Sequence, residues 1–254
     1  MKDSQQSPDY SVFVNMYDSV MEHINYHIWA NFLLSVYKRN RLKSPKSLLD
    51  IACGSGELLK KFKSLIHGKL HGIDISPQMA ELANLKLLGS SRIQVSPMTK
   101  IPFPDGSFDF ITNTHDSLNY LITEEDLHSH FREVHRVMQK GGMYIVDITS
   151  EENIYKYFHN KTKKFKKGKL RLTWSNFYHH KTNIIESRLE FLDLKSQVTH
   201  TELHRQKYYP QKQIIRLAGE NGLKFIENFY DYHFSGKEKG CSLIVLVFIK
   251  PDLE

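Results

Sequence analysis

The segment LLDIACGSGEL (48–58) places an acidic residue and two glycines where they can contact a ligand. Asp50 lies within an apolar run, and Gly54 and Gly56 precede a helical pattern of apolar residues. A glycine turn between a strand and a helix lets a ligand approach the main chain, next to the free N–H groups of the helix start. The segment therefore predicts a turn that binds a nucleotide or a nucleoside.

The residues beyond the turn restrict the kind of ligand. A Walker phosphate loop needs Gly-Lys-Ser/Thr, which is absent here. A dinucleotide site needs a small residue three positions after a glycine, where this chain has Glu57 and Leu59. Asp74, at the end of the next predicted strand, can accept hydrogen bonds from both ribose hydroxyls. A nucleoside without phosphate fits best, and Asp50 favours one with positive charge, namely S-adenosylmethionine.

The segment NTHDSLNYL (113–121) supplies polar side chains for a second ligand, because it directly follows another predicted strand. Methyl transfer requires an aligned acceptor and, where the acceptor carries a proton, a base. His115 is a candidate general base, since histidine ordinarily titrates near neutrality; alternatively it shapes the pocket without titrating. Asp116 either neutralises a cationic amine or caps the helix that follows. Tyr120 is a candidate for orienting the substrate.

These segments belong to a regular alternation of strands and helices over residues 46–150. The apolar patterns predict five strands, at 46–52, 69–75, 91–95, 107–113 and 143–149, with helices at 56–66, 76–88 and 123–142. Strict alternation predicts a parallel sheet with helices on both faces. Residues 10–43 have helical periodicity and are predicted to form a lid.

The period changes to two over residues 160–207, which predicts an antiparallel insert of three strands after the fifth strand. The lysine-rich run KTKKFKKGKLR (161–171) is predicted to be a solvated hairpin or loop. Residues 208–250 return to the core with one helix and two closing strands. We therefore expect a single α/β domain over residues 1–254.

The composition is that of a globular protein, with 40% hydrophobic and 25% charged residues. The apolar run CSLIVLVFI (241–249) is too short to cross a bilayer as a helix, and the start of the chain has no apolar leader. Two cysteines predict no disulfide framework, so we expect a cytoplasmic setting without a membrane partner. The 14 histidines lack the converging ligands of a zinc site, and no metal is expected.

Three segments, LLDIACGSGEL, GIDISPQMAELA and FPDGSFDFITNTHDSLNYL, together resemble the class I S-adenosylmethionine-dependent methyltransferases. The resemblance covers roughly residues 46–150. It implies a doubly wound, Rossmann-like sheet of seven strands whose last strand is antiparallel. It also implies an enzyme that transfers a methyl group from S-adenosylmethionine to nitrogen or oxygen of a small molecule.

The resemblance implies a role for each residue of the cofactor site. The family pattern acid-x-Gly-x-Gly-x-Gly appears here with alanine in the first glycine position. Asp50 would fix the amino group through water, and the turn would run past the methionine and ribose. Asp74 would bind the ribose, and Ile75 and Met79 would flank the adenine. The residues so assigned to the cofactor are Asp50, Ala52, Cys53, Gly54, Gly56, Asp74, Ile75, Met79 and Thr114.

The adenine loop departs from the family pattern, because Ser96-Pro97-Met98 replaces the usual acidic residue. Ser96 can substitute as an acceptor, and Met98 can pack on the adenine ring. Within the family, residues 17–33 and the insert resemble a bacterial subgroup that includes amino-sugar N-methyltransferases. In that subgroup the residue matching Tyr17 reaches the cofactor carboxylate, and the position of Tyr120 holds a catalytic side chain.

Other interpretations remain open. The net charge of +7 and the basic insert allow an RNA methyltransferase, although the chain lacks the Asn/Asp-Pro-Pro-Tyr/Phe sequence of base-amine methylases. The missing adenine acid allows a protein that binds S-adenosylmethionine without catalysis. An NAD oxidoreductase is a more distant alternative. The insert either selects the acceptor or forms a subunit contact, so a homodimer is possible.

Overall fold

The computed structural model describes residues 12–41 and 43–252. Tyr10 and residue 11, at the start of the predicted lid, and residue 42 lie outside the described residues. The helices are α1 (Val14–Val20), α2 (Tyr26–Arg41), α3 (Glu57–Lys63), α4 (Pro77–Leu87), α5 (Glu124–Val137), α6 (Glu151–Asn153) and α7 (Gln211–Glu220). The strands are β1 (Ser47–Ile51), β2 (Lys69–Asp74), β3 (Ser91–Val95), β4 (Phe108–Asn113), β5 (Met138–Thr149), β6 (Lys161–Lys167), β7 (Leu170–His179), β8 (Ile184–Asp193), β9 (Thr199–Lys207), β10 (Lys224–Tyr230) and β11 (Leu243–Ile249).

Seven strands form the central sheet in the order β10-β11-β5-β4-β1-β2-β3. Strands β1 to β5 are parallel, whereas β11 pairs antiparallel with both β5 and β10. Every residue of β4 is buried, as expected for a central parallel strand that is covered on both faces. The predicted doubly wound sheet with an antiparallel last strand is therefore confirmed.

Helices cover the sheet on both faces. One face packs against α2, α3 and α4, in a core that includes Leu33, Tyr37 and Leu59. The other face packs against α5 and α7, in a core that includes Phe131 and Leu217. Helix α2 therefore belongs to a layer of the fold, and the part of residues 10–43 that lies over the glycine turn is α1. Within the described ranges, no helix is long and apolar enough to span a membrane.

The insert is a separate antiparallel sheet of four strands in the order β6-β7-β8-β9, one strand more than the sequence pattern indicated. The additional strand is β6, which contains five of the lysines and pairs with β7 from Lys161 to Lys167. It lies at the sheet edge, where long charged side chains remain in water and discourage pairing with another chain. Because only Phe165 of β6 is partly buried, the hydrophobic pattern of this strand is weak.

Candidate active site

The glycine turn follows β1 with three left-handed residues at alternate positions. Ala52, Gly54 and Gly56 have φ angles of 55°, 53° and 79°. Glycine adopts this conformation without steric cost, whereas a residue with a Cβ is disfavoured there by roughly 1–2 kcal/mol. The turn therefore depends on left-handed backbone conformations, which the two glycines adopt freely and which strain the backbone of Ala52.

Asp74, at the end of β2, is bonded to this turn. One carboxylate oxygen accepts from the Gly54 N–H at 2.8 Å, and the other accepts from the Ser76 N–H at 2.9 Å. Burial raises the pKa of Asp74 to about 6. Since each carboxylate oxygen has a further lone pair, the group can still accept from two vicinal hydroxyls. The geometry of Asp74 therefore fits the ribose of S-adenosylmethionine.

Asp50 is the second buried carboxyl group of this side. It accepts a hydrogen bond from the Thr112 hydroxyl at 2.7 Å. Burial raises its pKa to about 7, the Thr112 bond opposes this, and the charges of Asp74 and Asp147 add to it. A carboxyl group that titrates near neutrality becomes a carboxylate when a cation binds beside it. Asp50 therefore fits a ligand with an ammonium group.

Helix α1 lies over the turn. The Tyr17 hydroxyl is 3.4 Å from the position that a Cβ on Gly54 would occupy, so the phenol lies directly against the turn. Asp18 accepts from the Ser55 hydroxyl at 2.6 Å and from Lys86 at 2.5 Å, and Lys86 also binds Glu57 at 2.9 Å. These contacts attach α1 to the turn and to α4.

The residues predicted to surround the adenine have different environments. Ile75 is 41% exposed and Met98 is half-buried, so both offer apolar surface to a ring. Met79 is 1% exposed and lies in the first turn of α4, where its N–H donates to the Ser76 hydroxyl that caps the helix. The Ser96 hydroxyl donates to the Lys100 carbonyl at 2.6 Å, which fixes the loop and leaves its oxygen able to accept.

Two buried side chains near the candidate site make structural contacts. The sequence analysis assigned Cys53 to the cofactor and did not identify His130. Cys53 is buried, and its sulfur would lie 2.8 Å from a Cβ on Gly72, so it fills space against β2. His130 contacts the Met98 carbonyl at 3.0 Å and the Tyr144 hydroxyl at 2.8 Å. This buried histidine on α5 therefore holds the loop Ser96-Pro97-Met98. The sequence gave no signal for the contact, because it joins residues that are 32 positions apart.

The segment after β4 forms the other side of the site. Thr114 is buried, and its carbonyl accepts from the Ser117 hydroxyl at 2.8 Å. His115 and Asp116 are consecutive left-handed residues, with φ angles of 63° and 47°. Asp147 of β5 accepts from both of their N–H groups, at 2.8 and 2.5 Å. The sequence prediction missed Asp147, whose buried carboxylate stabilises this strained turn.

The two titratable side chains of this turn have opposite pKa shifts. Burial, together with His23, lowers the pKa of His115 to about 4. Burial, followed by the Asp147 charge, raises the pKa of Asp116 to about 8. The His115 ring lies 5.8 Å from the Trp29 ring, and Trp29 stacks on Tyr232 at 4.1 Å between centroids. Histidine with so low a pKa is a weak base at neutral pH, which favours the pocket-shaping alternative.

The cofactor side and the acceptor side meet at Tyr17. Burial raises the pKa of the Tyr17 phenol well above its usual value, and Tyr26, Asp74, Tyr120 and Asp116 contribute further. The Tyr120 hydroxyl in turn lies 3.1 Å from Nδ1 of His204, on the insert. Among residues 12–41 and 43–252, no three His, Cys, Asp or Glu side chains are placed to hold a metal ion.

Comparisons with known proteins find methyltransferases. Residues 49–146 match the model of the family described as a methyltransferase domain. A protein of Geobacillus sp. (strain WCH70) that carries a methyltransferase name is 26% identical over 231 residues. The match covers 88% of this chain and 92% of the relative. The demethylmenaquinone methyltransferase of Geobacillus stearothermophilus is 26% identical over 170 residues, 61% of this chain and 68% of the relative.

Two solved structures have the same fold over nearly the whole chain. An S-adenosylmethionine-dependent methyltransferase from Clostridium acetobutylicum has a TM-score of 0.82 at 21% identity, covering 96% of this chain and 99% of its own. The sugar N-methyltransferase KedS8 from Streptoalloteichus has a TM-score of 0.76 at 18% identity, covering 93% of each chain. Because so little of either chain is left uncovered, the likeness includes most of the insert.

Proposed function

We propose that this chain, whose residues 49–146 match a methyltransferase domain, transfers a methyl group from S-adenosylmethionine to a nitrogen or oxygen atom of a small molecule. S-adenosylmethionine supplies an electrophilic methyl group when it is bound. The protein must then hold the donor and the acceptor in line and accept any proton that the acceptor loses. The proposal therefore depends on the polar groups that face the acceptor.

The observation that carries the proposal is the convergence at Tyr17. Its phenol is near Asp74, which fits the ribose, and near Asp116 and Tyr120, which follow β4. An acceptor that reaches the methyl group from this side meets one carboxyl group and two phenols. Carboxyl and phenol groups form hydrogen bonds with amines and hydroxyls, so they suit an acceptor of either kind.

Asp116 favours an amine among the possible acceptors. Its pKa of about 8 keeps much of the carboxyl group protonated at neutral pH while no cation is bound. A cationic amine would stabilise the carboxylate and be held by it, after which loss of a proton makes the amine nucleophilic. His115, with Trp29 and Tyr232 behind it, would form an apolar wall of the acceptor pocket.

The names of similar proteins support two acceptor classes. KedS8 is named a sugar N-methyltransferase, which agrees with an amine. The Geobacillus stearothermophilus relative is named for demethylmenaquinone, so a quinol is a necessary comparison. Because the lysines of β6 are exposed, binding of RNA and contact with another subunit are further alternatives for the role of the insert.

The test is a panel of acceptors with the purified chain and S-adenosylmethionine, in which formation of S-adenosylhomocysteine is measured. The panel contains amino sugars, other primary amines, phenols, a naphthoquinol and total tRNA. We expect turnover with amines, and Asp116→Asn should raise KM for cationic amines about tenfold while leaving KM for phenols unchanged, because one charge pair is lost. Asp105→Asn, an exposed carboxylate bonded to Arg136, is the matched control. Turnover with tRNA or the quinol alone would contradict the proposal.

A further inference from the structure

Strand β9 of the insert has an inverted pattern of burial. Glu202, His204 and Gln206 are 3%, 3% and 7% exposed, whereas Leu203 between them is 45% exposed. A strand with one face on the core normally buries its apolar residues, and burial of polar groups costs free energy unless they are hydrogen-bonded. Such local conflicts between sequence and environment are expected at functional sites.

Two of these buried side chains, Glu202 and His204, form a hydrogen-bonded series that ends at Tyr120. The Tyr120 hydroxyl lies 3.1 Å from Nδ1 of His204, and Nε2 of His204 lies 3.4 Å from Oε2 of Glu202. The other Glu202 oxygen accepts from the N–H groups of Val12 and Phe13, at 2.9 and 3.0 Å. The carboxylate is therefore fixed by the segment that precedes α1.

We propose that Tyr120, His204 and Glu202 form a proton relay that takes the proton of the methyl acceptor. Tyr120 is the member that contacts the acceptor, and His204 and Glu202 are positioning residues behind it. The proposal rests on the proposed function, because only an acceptor that loses a proton needs a relay. It explains why the insert buries a carboxylate and a histidine at the acceptor side.

Each atom in the relay step has a defined partner. As the acceptor lone pair bonds to the methyl carbon, the electrons of the methyl–sulfur bond remain on sulfur, and the acceptor proton moves to Tyr120 Oη. The phenol proton moves to Nδ1 of His204, which becomes an imidazolium beside the Glu202 carboxylate. The step requires neutral His204 with its hydrogen on Nε2, so that Nδ1 can accept from the phenol.

The other groups near His204 are compatible with its role between Tyr120 and Glu202. Tyr120 and Glu202 contact the ring itself, and the Phe13 ring packs against it at 6.2 Å between centroids. On β8 the register partner is Ser187, which donates to Asn176. Tyr17 lies near the phenol end of the relay, because both Tyr120 and Asp116 contribute to raising the pKa of Tyr17.

The kinetic test uses His204→Gln and Glu202→Gln with an amine or phenol that the panel identifies. We expect His204→Gln to lower kcat by about 100-fold, the usual size of general base catalysis, with S-adenosylmethionine affinity unchanged. Glu202→Gln keeps an oxygen for the Val12 and Phe13 N–H groups. It should lower kcat about tenfold and move the acid limb of the pH profile to lower pH, because the imidazolium loses its counter-charge.

Controls separate the relay from a structural effect. Arg205→Gln changes the outward neighbour on the same strand, which pairs with Glu186 at the surface, and should leave kcat and the pH profile unchanged. Tyr120→Phe should reduce kcat as much as His204→Gln does, and the double variant should lose little more. Additive losses, or an acid limb that stays in place in Glu202→Gln, would overturn the relay.

A measurement without the acceptor keeps the two proposals apart. In protein labelled with ¹⁵N-histidine and saturated with S-adenosylmethionine, the His204 signal, assigned with His204→Gln, should show the Nε2–H tautomer, and Tyr120→Phe should shift its Nδ1 resonance. The Nδ1–H tautomer would overturn the relay whatever the turnover. The Nε2–H tautomer with no turnover of any panel acceptor would instead place the failure in the proposed function.

Discussion

The two sides of the site are built in different ways. On the candidate cofactor side, the two carboxyl groups that fit the ligand, Asp50 and Asp74, lie in one short segment, and main-chain N–H groups hold Asp74 in place. On the acceptor side, the groups come from distant segments, among them Trp29, Tyr120 and His204, and side chains hold them. A site made of backbone is specified by a short sequence, whereas a site made of side chains depends on the packing of the whole domain.

Helix α1 joins these two sides. Tyr17 and Asp18 contact the glycine turn, while Phe13, just before the helix, packs against Trp174 and Phe191 of the insert. A change in α1 should therefore affect both sides, and changes elsewhere should affect one. The following predictions test this separation, in order of decreasing expected effect.

Asp74→Ala should abolish most of the affinity for S-adenosylmethionine. The substitution removes the ribose acceptor and the partner of the Gly54 and Ser76 N–H groups, at about 1.5–3 kcal/mol for each lost hydrogen bond to a charged group. We expect Kd to rise by at least about 100-fold in calorimetry. Asp74→Asn keeps the size of the side chain, and Asp105→Asn is the surface control. Unchanged affinity in Asp74→Ala would refute the backbone-held cofactor site.

The affinity for S-adenosylmethionine should fall as the pH is lowered through 7. Asp50 has a pKa of about 7 without ligand, and a bound ammonium group favours its charged form. Binding therefore releases a proton below pH 7, and Kd should rise by up to about tenfold per pH unit. Asp50→Asn should remove this part of the slope, although Asp74, with a pKa of about 6, keeps a slope at lower pH. A Kd that is independent of pH between 6 and 8 would contradict this prediction.

Lys86→Met should loosen α1 without removing the cofactor site. The ammonium group of Lys86 is bonded to Asp18 and Glu57 and is 17% exposed, so its loss frees one contact of α1 with α4. We expect the dissociation rate of S-adenosylmethionine to rise about threefold to tenfold, corresponding to roughly 1 kcal/mol. Stopped-flow fluorescence measures the rate, and Lys212→Met is the control because Lys212 is exposed on α7, away from the candidate cofactor site. An unchanged rate would mean that the remaining contacts of α1, including the Ser55–Asp18 hydrogen bond, hold it without Lys86.

The strain in the glycine turn should be visible as a small change in stability. Ala52→Gly relieves the left-handed strain but adds freedom to the unfolded chain, so the free energy of unfolding should rise by about 0.5 kcal/mol. Gly54→Ala should lower it by about 1 kcal/mol, because it adds strain and a contact with Tyr17. Denaturant unfolding measures both. A loss of stability in Ala52→Gly would show that the alanine methyl group has a packing role.

The regular part of the fold could be predicted from the sequence because its signals are local. The alternation of elements, the glycine turn and the position of Asp74 at the end of β2 all follow from local patterns in the sequence. The edge strand β6 was not identified because its lysines follow no hydrophobic period, and its pairing with β7 is a property of the assembled insert.

The acceptor side required the tertiary structure. Asp147 gave no signal within the predicted strand MYIVDIT, yet it holds the His115–Asp116 turn. Glu202 is 189 residues from Phe13 along the chain, and only folding brings the two together. The sequence by itself thus determined the sheet and a cofactor turn made of main-chain groups. The tertiary structure decided which carboxylates, histidines and phenols are buried together, because burial and distance between remote side chains depend on packing that no local pattern records.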